Sequence, residues 1–392
     1  MGDFYESHPY PPPVDDLETY RRAWDDARRR ADSFLFFSNE AYRDDRSILV
    51  AGCGTSQAAR YAARWPNARV VGIDISASSV AYEDELKRKH GLGNLELRRL
   101  PVERAGELAQ TFDFIICTGV LHHLAEPDAG LTALRDVLAP RGAMHLMVYA
   151  PYGRAGVYML QEYCRRLNIG WSPREIEELA ATLKALPPRH PLVPLLQNSS
   201  DFASAAGIAD ALLHPSDRAY SVAELFDFLA RAQLRLGRWV RQAPYLPYCG
   251  AVTATPHASA LQQLPPPQQY AALELLRGTM VRHSVVAYRQ HAAERDLRFD
   301  MDAYRTYVPV RLPGAIAVTE RLPVGAAAVL LNRNHTHTDL YLPIGAEQLR
   351  WYDAIDGAKS IAEIVGSEGR SDGLAFFQQL WRWDQVVFAQ VP

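Results

Sequence analysis

The sequence predicts an α/β protein with a parallel sheet, followed by a helical region and a small α+β unit. Between residues 47 and 150, short apolar runs such as SILVAG and VVGIDI alternate with helical patterns such as QAARYAARW. This alternation is typical of parallel strands joined by crossover helices. Further along, prolines cluster at 186–194 and 263–268 around the helical pattern VAELFDFLARAQL, and the strand-like runs AIAVTERL and AAAVLLN precede two more helical patterns. At 392 residues the chain is also too long for one ordinary compact domain.

These changes of pattern divide the chain into four segments. Residues 1–46 are expected to form a proline-rich and aromatic-rich arm followed by a basic amphipathic helix, and residues 47–165 the sheet. Residues 166–304 are expected to form the helical region, and residues 305–392 the α+β unit.

The composition argues against several kinds of partner. Lys and Arg number 42 against 45 Asp and Glu, a net charge of -3, so the positive excess that binds a phosphate backbone is missing and nucleic acid is not expected as a partner. No apolar run approaches the roughly 18 residues of a membrane span, and the chain shows no leader pattern, so we expect no membrane association and a cytoplasmic location. The four cysteines are widely spaced and indicate neither a zinc site nor a disulfide framework.

A glycine turn is the most informative local pattern. The apolar run ILVAG enters Gly52-Cys53-Gly54, and an alanine-rich helix follows. Glycine allows a sharp turn close to a ligand, and the helix N-terminus is expected to present free N–H groups. Asp74 ends the next apolar run, where doubly wound sheets place an acid on ribose hydroxyls. Gln57 stands where a dinucleotide fingerprint needs a small residue, so a nucleoside cofactor without pyrophosphate is favoured over NAD.

Four ordered motifs carry a family resemblance. VAGCGT at 50–55, VGID at 71–74, FDFIICTGVLHHL at 112–124 and LAPRGA at 138–143 together resemble class I S-adenosylmethionine-dependent methyltransferases. Within that class, the glycine turn, the GVLHHL segment and the PYP arm are similar to the type 11/12 enzymes. The resemblance covers about residues 5–165 and implies a Rossmann-like, doubly wound, seven-stranded sheet. It also implies S-adenosyl-L-methionine as cofactor and S-adenosyl-L-homocysteine as product, with no metal.

The resemblance assigns cofactor contacts position by position. It implies that Gly52 and Gly54 flank the methionine moiety and that Asp74 binds the ribose diol. An acidic residue that often binds the adenine amine is replaced by Pro101, so Val102 or Glu103 is expected to take its place. The other contacts that the resemblance implies are Cys53, Ile75, Thr118 and Gly119.

Transfer of a sulfonium methyl requires mainly that nucleophile, carbon and sulfur are held in line. A general base is needed only if the acceptor must lose a proton early. His122 and His123 follow the fourth strand, at the edge where open α/β sheets bind ligands. Either histidine is a candidate base, or both only orient the loop. Tyr152 is the third candidate catalytic residue, since its segment follows the fifth strand beside the predicted reaction centre.

Candidate acceptor contacts come from three other places in the chain. Tyr149 and Arg154 follow the fifth strand, and Arg154 either holds a carboxylate or phosphate of the acceptor or makes a surface salt bridge beside two core aromatics. The polar stretch that includes His214 and Arg218 is either a wall of the acceptor pocket or a salt-bridged turn. The arm carries two further aromatic candidates, which either close over the cofactor as a lid or belong to a loose tail: Tyr5 and Tyr10.

The tail supports a separate hypothesis. YDAIDGAKSIAEIV followed by FFQQLWRWDQVVF is similar to PqqD-like winged-helix modules, which would imply a peptide or protein acceptor added to a strand edge. Otherwise the tail is a structural cap or a homodimer contact. His335 and His337 in this segment are interpreted as part of a solvated turn rather than a metal site. The sequence thus predicts a methyltransferase that acts on a small metabolite. The alternatives are a methyltransferase that acts on a peptide or protein and a non-catalytic cofactor-binding sensor.

Overall fold

The protein is described by a computed structural model that covers residues 11–38, 40–292, 296–366 and 370–390. Twelve strands lie in the described residues. They are β1 Ser47–Ala51, β2 Arg69–Asp74, β3 Leu95–Arg99, β4 Phe112–Thr118, β5 Leu138–Tyr149, β6 Leu234–Trp239, β7 Arg282–Arg289, β8 Tyr307–Arg311, β9 Ala315–Val318, β10 Ala328–Asn332, β11 Tyr341–Ile344 and β12 Val386–Gln390.

The α-helices of the described residues are mostly short. They are α1 Glu18–Arg22, α2 Asp26–Phe36, α3 Gln57–Arg64, α4 Ala77–His90, α5 Pro127–Asp136, α6 Ala155–Arg166, α7 Pro173–Lys184, α8 Val193–Asn198, α9 Ala205–Ile208, α10 Val222–Arg231, α11 Ala258–Gln263, α12 Pro266–Arg277, α13 Met301–Thr306, α14 Ala346–Asp353, α15 Ile361–Val365 and α16 Arg370–Arg382. Within the part of the chain that is described, none of them has both the length and the apolar character that crossing a bilayer requires.

The main sheet confirms the predicted architecture. Its strand order is β3-β2-β1-β4-β5-β7-β6. The first five strands in this order pair in parallel, and β1 lies between β2 and β4, so the strand order reverses beside β1 as in a doubly wound sheet. The last two strands come from residues beyond the helices that follow β5, not from the 47–165 segment.

The described residues form two compact units. The first comprises 11–21, 45–234 and 278–283, and the second comprises the remainder. These units cut across the four segments predicted from the sequence, whose boundaries remain a prediction.

In the first unit, helices pack closely on the parallel strands. Ile48, Leu49 and Val50 are all buried, as expected for a central strand covered on both faces. A Cβ atom at Gly72 would lie 2.6 Å from the Cβ of Ala58, so glycine on β2 and alanine on α3 allow the helix to sit directly on the sheet. This places the start of α3 beside the ends of β1 and β2.

After β5, the first unit adds a helical layer with its own apolar core. α6 and α7 bury one face each, and a wider π-helical turn at Ala209–Leu213 packs with them. Val157, Leu160 and Cys164 of α6 contribute to this core together with Ile176 and Leu179 of α7. This layer carries the residues that follow β5 and the polar stretch near residue 214.

The second unit contains the predicted α+β fold. β9, β10 and β11 form a three-stranded antiparallel sheet, and β8 pairs with β12. Its core includes Phe376, Phe377 and Leu380 of α16. The interpretation of His335 as part of a solvated turn is wrong, because its side chain is buried with Nε2 3.2 Å from Oδ2 of Asp384. The similarity to a PqqD-like module stays a prediction.

Candidate cofactor and acceptor site

The glycine turn joins β1 to the end of β2. The N–H groups of Gly52 and Cys53 both donate to the carbonyl oxygen of Ile73, at 2.8 and 3.0 Å. Gly52 has φ +71°, and a Cβ atom there would lie 2.3 Å from Cγ2 of Val120. Glycine is therefore required at this position for two reasons: the backbone conformation and the close approach of the loop after β4.

Asp74 holds the turn from the other side. Its Oδ2 accepts a hydrogen bond from the Gly54 N–H at 2.8 Å, and its Oδ1 accepts one from the Ser76 N–H at 2.9 Å. Each carboxylate oxygen has a second lone pair. The carboxylate is thus fixed in orientation where it lines the cavity.

The N-terminus of α3 differs from the expected anion site. The N–H groups of Ala58 and Ala59 do not face the turn, because each donates at 2.8 Å to a carboxyl oxygen of Glu83 on α4. Burial raises the pKa of Glu83 to about 8, while its two backbone hydrogen bonds act in the opposite direction. In either protonation state Glu83 occupies the donors that a phosphate would need. The expectation of free N–H groups is therefore wrong for these two residues.

One cavity of about 1220 Å³ opens beside the turn. All nine residues proposed as cofactor contacts line it: Gly52, Cys53, Gly54, Asp74, Ile75, Val102, Glu103, Thr118 and Gly119. They come from the ends of β1, β2 and β4 and from the segment after β3, and only the sheet topology brings them together. The structure thus supports the grouping, while the role of each residue toward a cofactor remains a proposal.

The acceptor candidates divide into two groups. His123, Tyr149 and Arg154 line the same cavity. Four others are not among the residues that line this cavity in the described part of the chain: His122, Tyr152, His214 and Arg218. Tyr152 points elsewhere, with 43% of its surface exposed, and Arg218 is exposed with its guanidinium 4.7 Å from the ring centre of Tyr220. Tyr5 and Tyr10 lie outside the described residues, so the lid hypothesis is not tested.

The two consecutive histidines have different surroundings. Nδ1 of His123 lies 2.9 Å from the carbonyl oxygen of Ser216, and since a carbonyl only accepts, Nδ1 carries the proton and Nε2 has a lone pair. Burial lowers the pKa of His123 to about 4, so the ring is neutral at pH 7. His122 is 1% exposed and lies outside the cavity lining, with its ring 4.0 Å from that of Tyr149. The structure therefore does not support His122 as a general base.

Arg154 lines the cavity, but its charge is already balanced. The side chain is buried, with NH1 3.6 Å from Oδ2 of Asp201 and NH2 3.8 Å from Oδ2 of Asp217. Its guanidinium carbon also lies 3.6 Å from the ring centre of Tyr149. These contacts agree neither with a surface salt bridge nor with a residue free to hold an acceptor anion.

The cavity has further walls that the sequence analysis did not identify. Gln57, Arg60, Tyr61 and Arg64 of α3 line it, and Arg64 contacts the hydroxyl of Tyr20 through Nε at 2.9 Å. Their i, i+3, i+4 and i+7 spacing marks one helix face, and this signal was available in the sequence. The walls that come from distant segments carry no local signal: Leu195, Ser199, Asp201, Asp210 and Arg282.

The seven-stranded sheet has the Rossmann-like fold of class I S-adenosylmethionine-dependent methyltransferases. Residues 49–144 match the family described as "Methyltransferase domain". An uncharacterized protein of Synechococcus sp., syc1184_c, is 37% identical over 168 residues, which are 41% of this chain and 39% of that protein. The ubiquinone biosynthesis O-methyltransferase of Acinetobacter baumannii is 30% identical over 98 residues, 25% of this chain and 41% of that enzyme. The chain thus spans about two fifths of the length of these relatives.

Solved structures extend the similarity of fold beyond the methyltransferase domain. PKMT2 from Rickettsia typhi superposes with a TM-score of 0.66 at 16% identity, over 97% of this chain and 78% of that one. The same protein in complex with AdoHcy gives a TM-score of 0.63 at 17% identity, over 97% and 77%. At this identity the likeness concerns the fold. The chain therefore shares the fold of PKMT2 over nearly its whole length.

Proposed function

We propose that the protein transfers the methyl group of S-adenosylmethionine to a small acceptor bound in the same cavity. The observation that carries this proposal is the shared lining. The nine candidate cofactor contacts and the acceptor candidates His123 and Tyr149 face one continuous space. A donor bound at the turn and an acceptor beside the loop after β4 would therefore meet without intervening protein.

The residues present fit this cofactor. Asp74 lines the cavity with its carboxylate held by two backbone N–H groups, and we propose that it binds the ribose hydroxyls. Glu83 occupies the donors at the start of α3, so the turn lacks the usual anion site, which suits a cofactor that has no phosphate. When bound, the cofactor supplies an electrophilic methyl group on a positively charged sulfur.

The contribution of the chain is mainly placement. A displacement at methyl requires reacting atoms that are aligned and about 3–3.5 Å apart. Neutral His123 can accept a proton through Nε2, but burial lowers its pKa to about 4, so it is a weak base. We therefore propose that His123 orients the acceptor first and removes a proton only from an acceptor that becomes acidic during transfer.

The size of the cavity supports a small acceptor. Pockets for single small ligands usually measure about 300–1,000 Å³, whereas this one measures about 1220 Å³. The space is sufficient for the cofactor and one small molecule. Asp201 and Asp210 also line the cavity, so its wall is partly polar.

Incubation with methyl-labelled S-adenosylmethionine and a host extract, fractionated by size, tests the proposal. Label in small metabolites is expected. Label in macromolecules would favour a peptide or protein acceptor instead, and no label despite measured cofactor binding would favour a non-catalytic sensor.

A pair of variants tests the cofactor site separately. Asp74→Ala should weaken S-adenosylhomocysteine binding by more than about tenfold, since it removes a charge-assisted hydrogen-bond acceptor. Asp113→Ala is the matched control. Its carboxylate likewise accepts from a backbone N–H, that of Ser47 at 2.9 Å, but does not line the cavity. Equal calorimetric affinities for the two variants would contradict the assignment of Asp74.

A further inference from the structure

A cluster of histidine and carboxylate groups lies behind the acceptor end of the cavity. His122, His123 and Asp217 each have one metal-ligating atom within 4.8 Å of those of the other two. The histidines are 1% and 3% exposed, and the Asp217 side chain is 2% exposed. The cluster joins the loop after β4 to the segment before α10, two parts of the first unit that are far apart in sequence.

Neighbouring groups hold two of the three side chains by hydrogen bonds. The carbonyl oxygen of Ser216 accepts the hydrogen bond of Nδ1 of His123, so the lone pair of this ring is on Nε2. Gln161 donates to Oδ2 of Asp217 at 2.8 Å, while Oδ1 has no hydrogen-bond partner within the described residues. Metal-binding histidines and carboxylates are typically held in this way, with the second polar atom bonded to a neighbouring group.

His122 is the least explained side chain of the cluster. Both of its ring nitrogens are buried, and neither has a hydrogen-bond partner in the parts of the chain that the structure covers. Its ring packs at a tilt against those of His123 and Tyr149, at centroid distances of 4.2 and 4.0 Å, and these contacts do not account for its nitrogens. Buried polar atoms without a partner are rare in folded proteins, and an unseen water or ion is a usual explanation.

The geometry is close to that of a first coordination shell. Ligands about 2.0–2.2 Å from one ion in tetrahedral geometry lie about 3.4 Å apart. The ligand atoms therefore need to approach one another by at most about 1.4 Å. Arg154 brings a positive charge to the cluster, but it contacts Oδ2 of Asp217 and is shared with Asp201.

We propose that His122, His123 and Asp217 bind a divalent transition-metal ion of the zinc type. Two imidazole nitrogens and one carboxylate oxygen form a ligand set that favours zinc-like ions over Mg²⁺, which prefers oxygen ligands. His123 lines the cavity, so an ion held there has an entry path, and when the ion occupies Nε2 the acceptor contact proposed for His123 would pass to the open position of the ion. Three protein ligands with one open position are the arrangement of catalytic rather than structural zinc sites.

Calorimetric titration of the metal-free full-length protein with Zn²⁺ tests this site. One equivalent is expected to bind with micromolar or tighter affinity, and Mg²⁺ is not expected to compete. Co²⁺ should give the intense visible absorption of a four- or five-coordinate site. The absence of stoichiometric Zn²⁺ binding to the wild-type protein would overturn the proposal and would favour a buried water bound to His122.

Variants identify the ligands. His122→Phe and His123→Phe keep an aromatic ring, and Asp217→Asn keeps the size of the side chain; each should weaken Zn²⁺ binding by at least about tenfold. His257→Phe, an exposed histidine of the second unit, is the matched control and should bind as the wild type does. Affinity for S-adenosylhomocysteine, whose proposed contacts do not include these three residues, reports whether each variant is folded. Variants that retain this affinity and still bind Zn²⁺ normally would refute the assignment.

Discussion

Replacement of Gly52 by alanine tests how the glycine turn is held. Gly52 has φ +71°, and an added Cβ would meet Val120 at 2.3, 2.9 and 3.2 Å through Cγ2, Cγ1 and Cβ. A left-handed backbone costs a non-glycine residue about 1–2 kcal/mol. Overpacking against a β-branched side chain adds about 1–3 kcal/mol. We therefore expect Gly52→Ala to lower the free energy of unfolding by about 2–5 kcal/mol.

Gly119→Ala is the matched control for the backbone contribution. Gly119 has φ +81°, but its added Cβ would meet only the flexible end of Met147, Cε at 3.6 Å, an ordinary contact. This variant should lose about 1–2 kcal/mol, the backbone cost alone. Both positions line the cavity, so both variants are also compared for S-adenosylhomocysteine affinity.

The double variant Gly52→Ala/Val120→Ala isolates the steric contribution. Removing both Cγ atoms of Val120 relieves the two shortest contacts, so the double variant should be about 1–3 kcal/mol more stable than the sum of the single changes predicts. Urea denaturation of the four variants measures this coupling. Additive effects, or a Gly52→Ala variant as stable as Gly119→Ala, would refute the contact with Val120 as the reason for glycine.

Three other predictions concern buried polar groups. Glu83→Gln should lower the free energy of unfolding by about 1–3 kcal/mol, because its amide nitrogen would face a backbone N–H of Ala58 or Ala59; unchanged urea denaturation would exclude this capping role. His123→Ala should lower turnover more than S-adenosylhomocysteine affinity, and equal losses in steady-state rate and calorimetric affinity would speak against an acceptor-side role. Burial, aided by the charges of Arg64 and Arg282, lowers the pKa of His145 to about 4. As the pH falls, His145 is therefore protonated in the unfolded state at a higher pH than in the folded state. Stability should therefore fall by up to about 3 kcal/mol between pH 6.5 and 4, and a His145→Gln variant with the same dependence on pH in this range would disprove this contribution.

The sequence was sufficient for the parallel strands and for the cofactor side of the cavity. Apolar runs, turns and helical spacing are local signals, and the contacts near Gly52, Asp74 and Thr118 all follow strand ends. The resemblance implied seven strands, but the segments that form the last two were not predicted, because β6 and β7 follow a long helical insertion and no local pattern indicates which sheet a strand joins. The grouping of residues at one sheet edge was predictable, whereas the strand order beyond β5 depends on long-range packing.

The acceptor side was predicted less well for the same reason. Asp201 and Asp217 come from distant loops, and only the fold brings them to Arg154. From the sequence, Arg154 was a candidate for binding an anion of the acceptor. In the structure, two carboxylates of the protein already contact its guanidinium. His122 and His123 are adjacent in sequence, but the loop after β4 turns one toward the cavity and the other into the protein. Such a difference within a dipeptide depends on surroundings that the local sequence does not specify.

The contact between Glu83 and the start of α3 also affects how the first unit folds. α3 has eight residues, and Ser56 at its N-cap makes no side-chain hydrogen bond to the helix. Isolated helices of this length are marginal in water. The first turn of α3 is therefore completed only when α4 docks and brings Glu83 to Ala58 and Ala59. We expect the two helices to gain protection from hydrogen exchange together, so the cofactor side assembles as one cooperative unit rather than helix by helix.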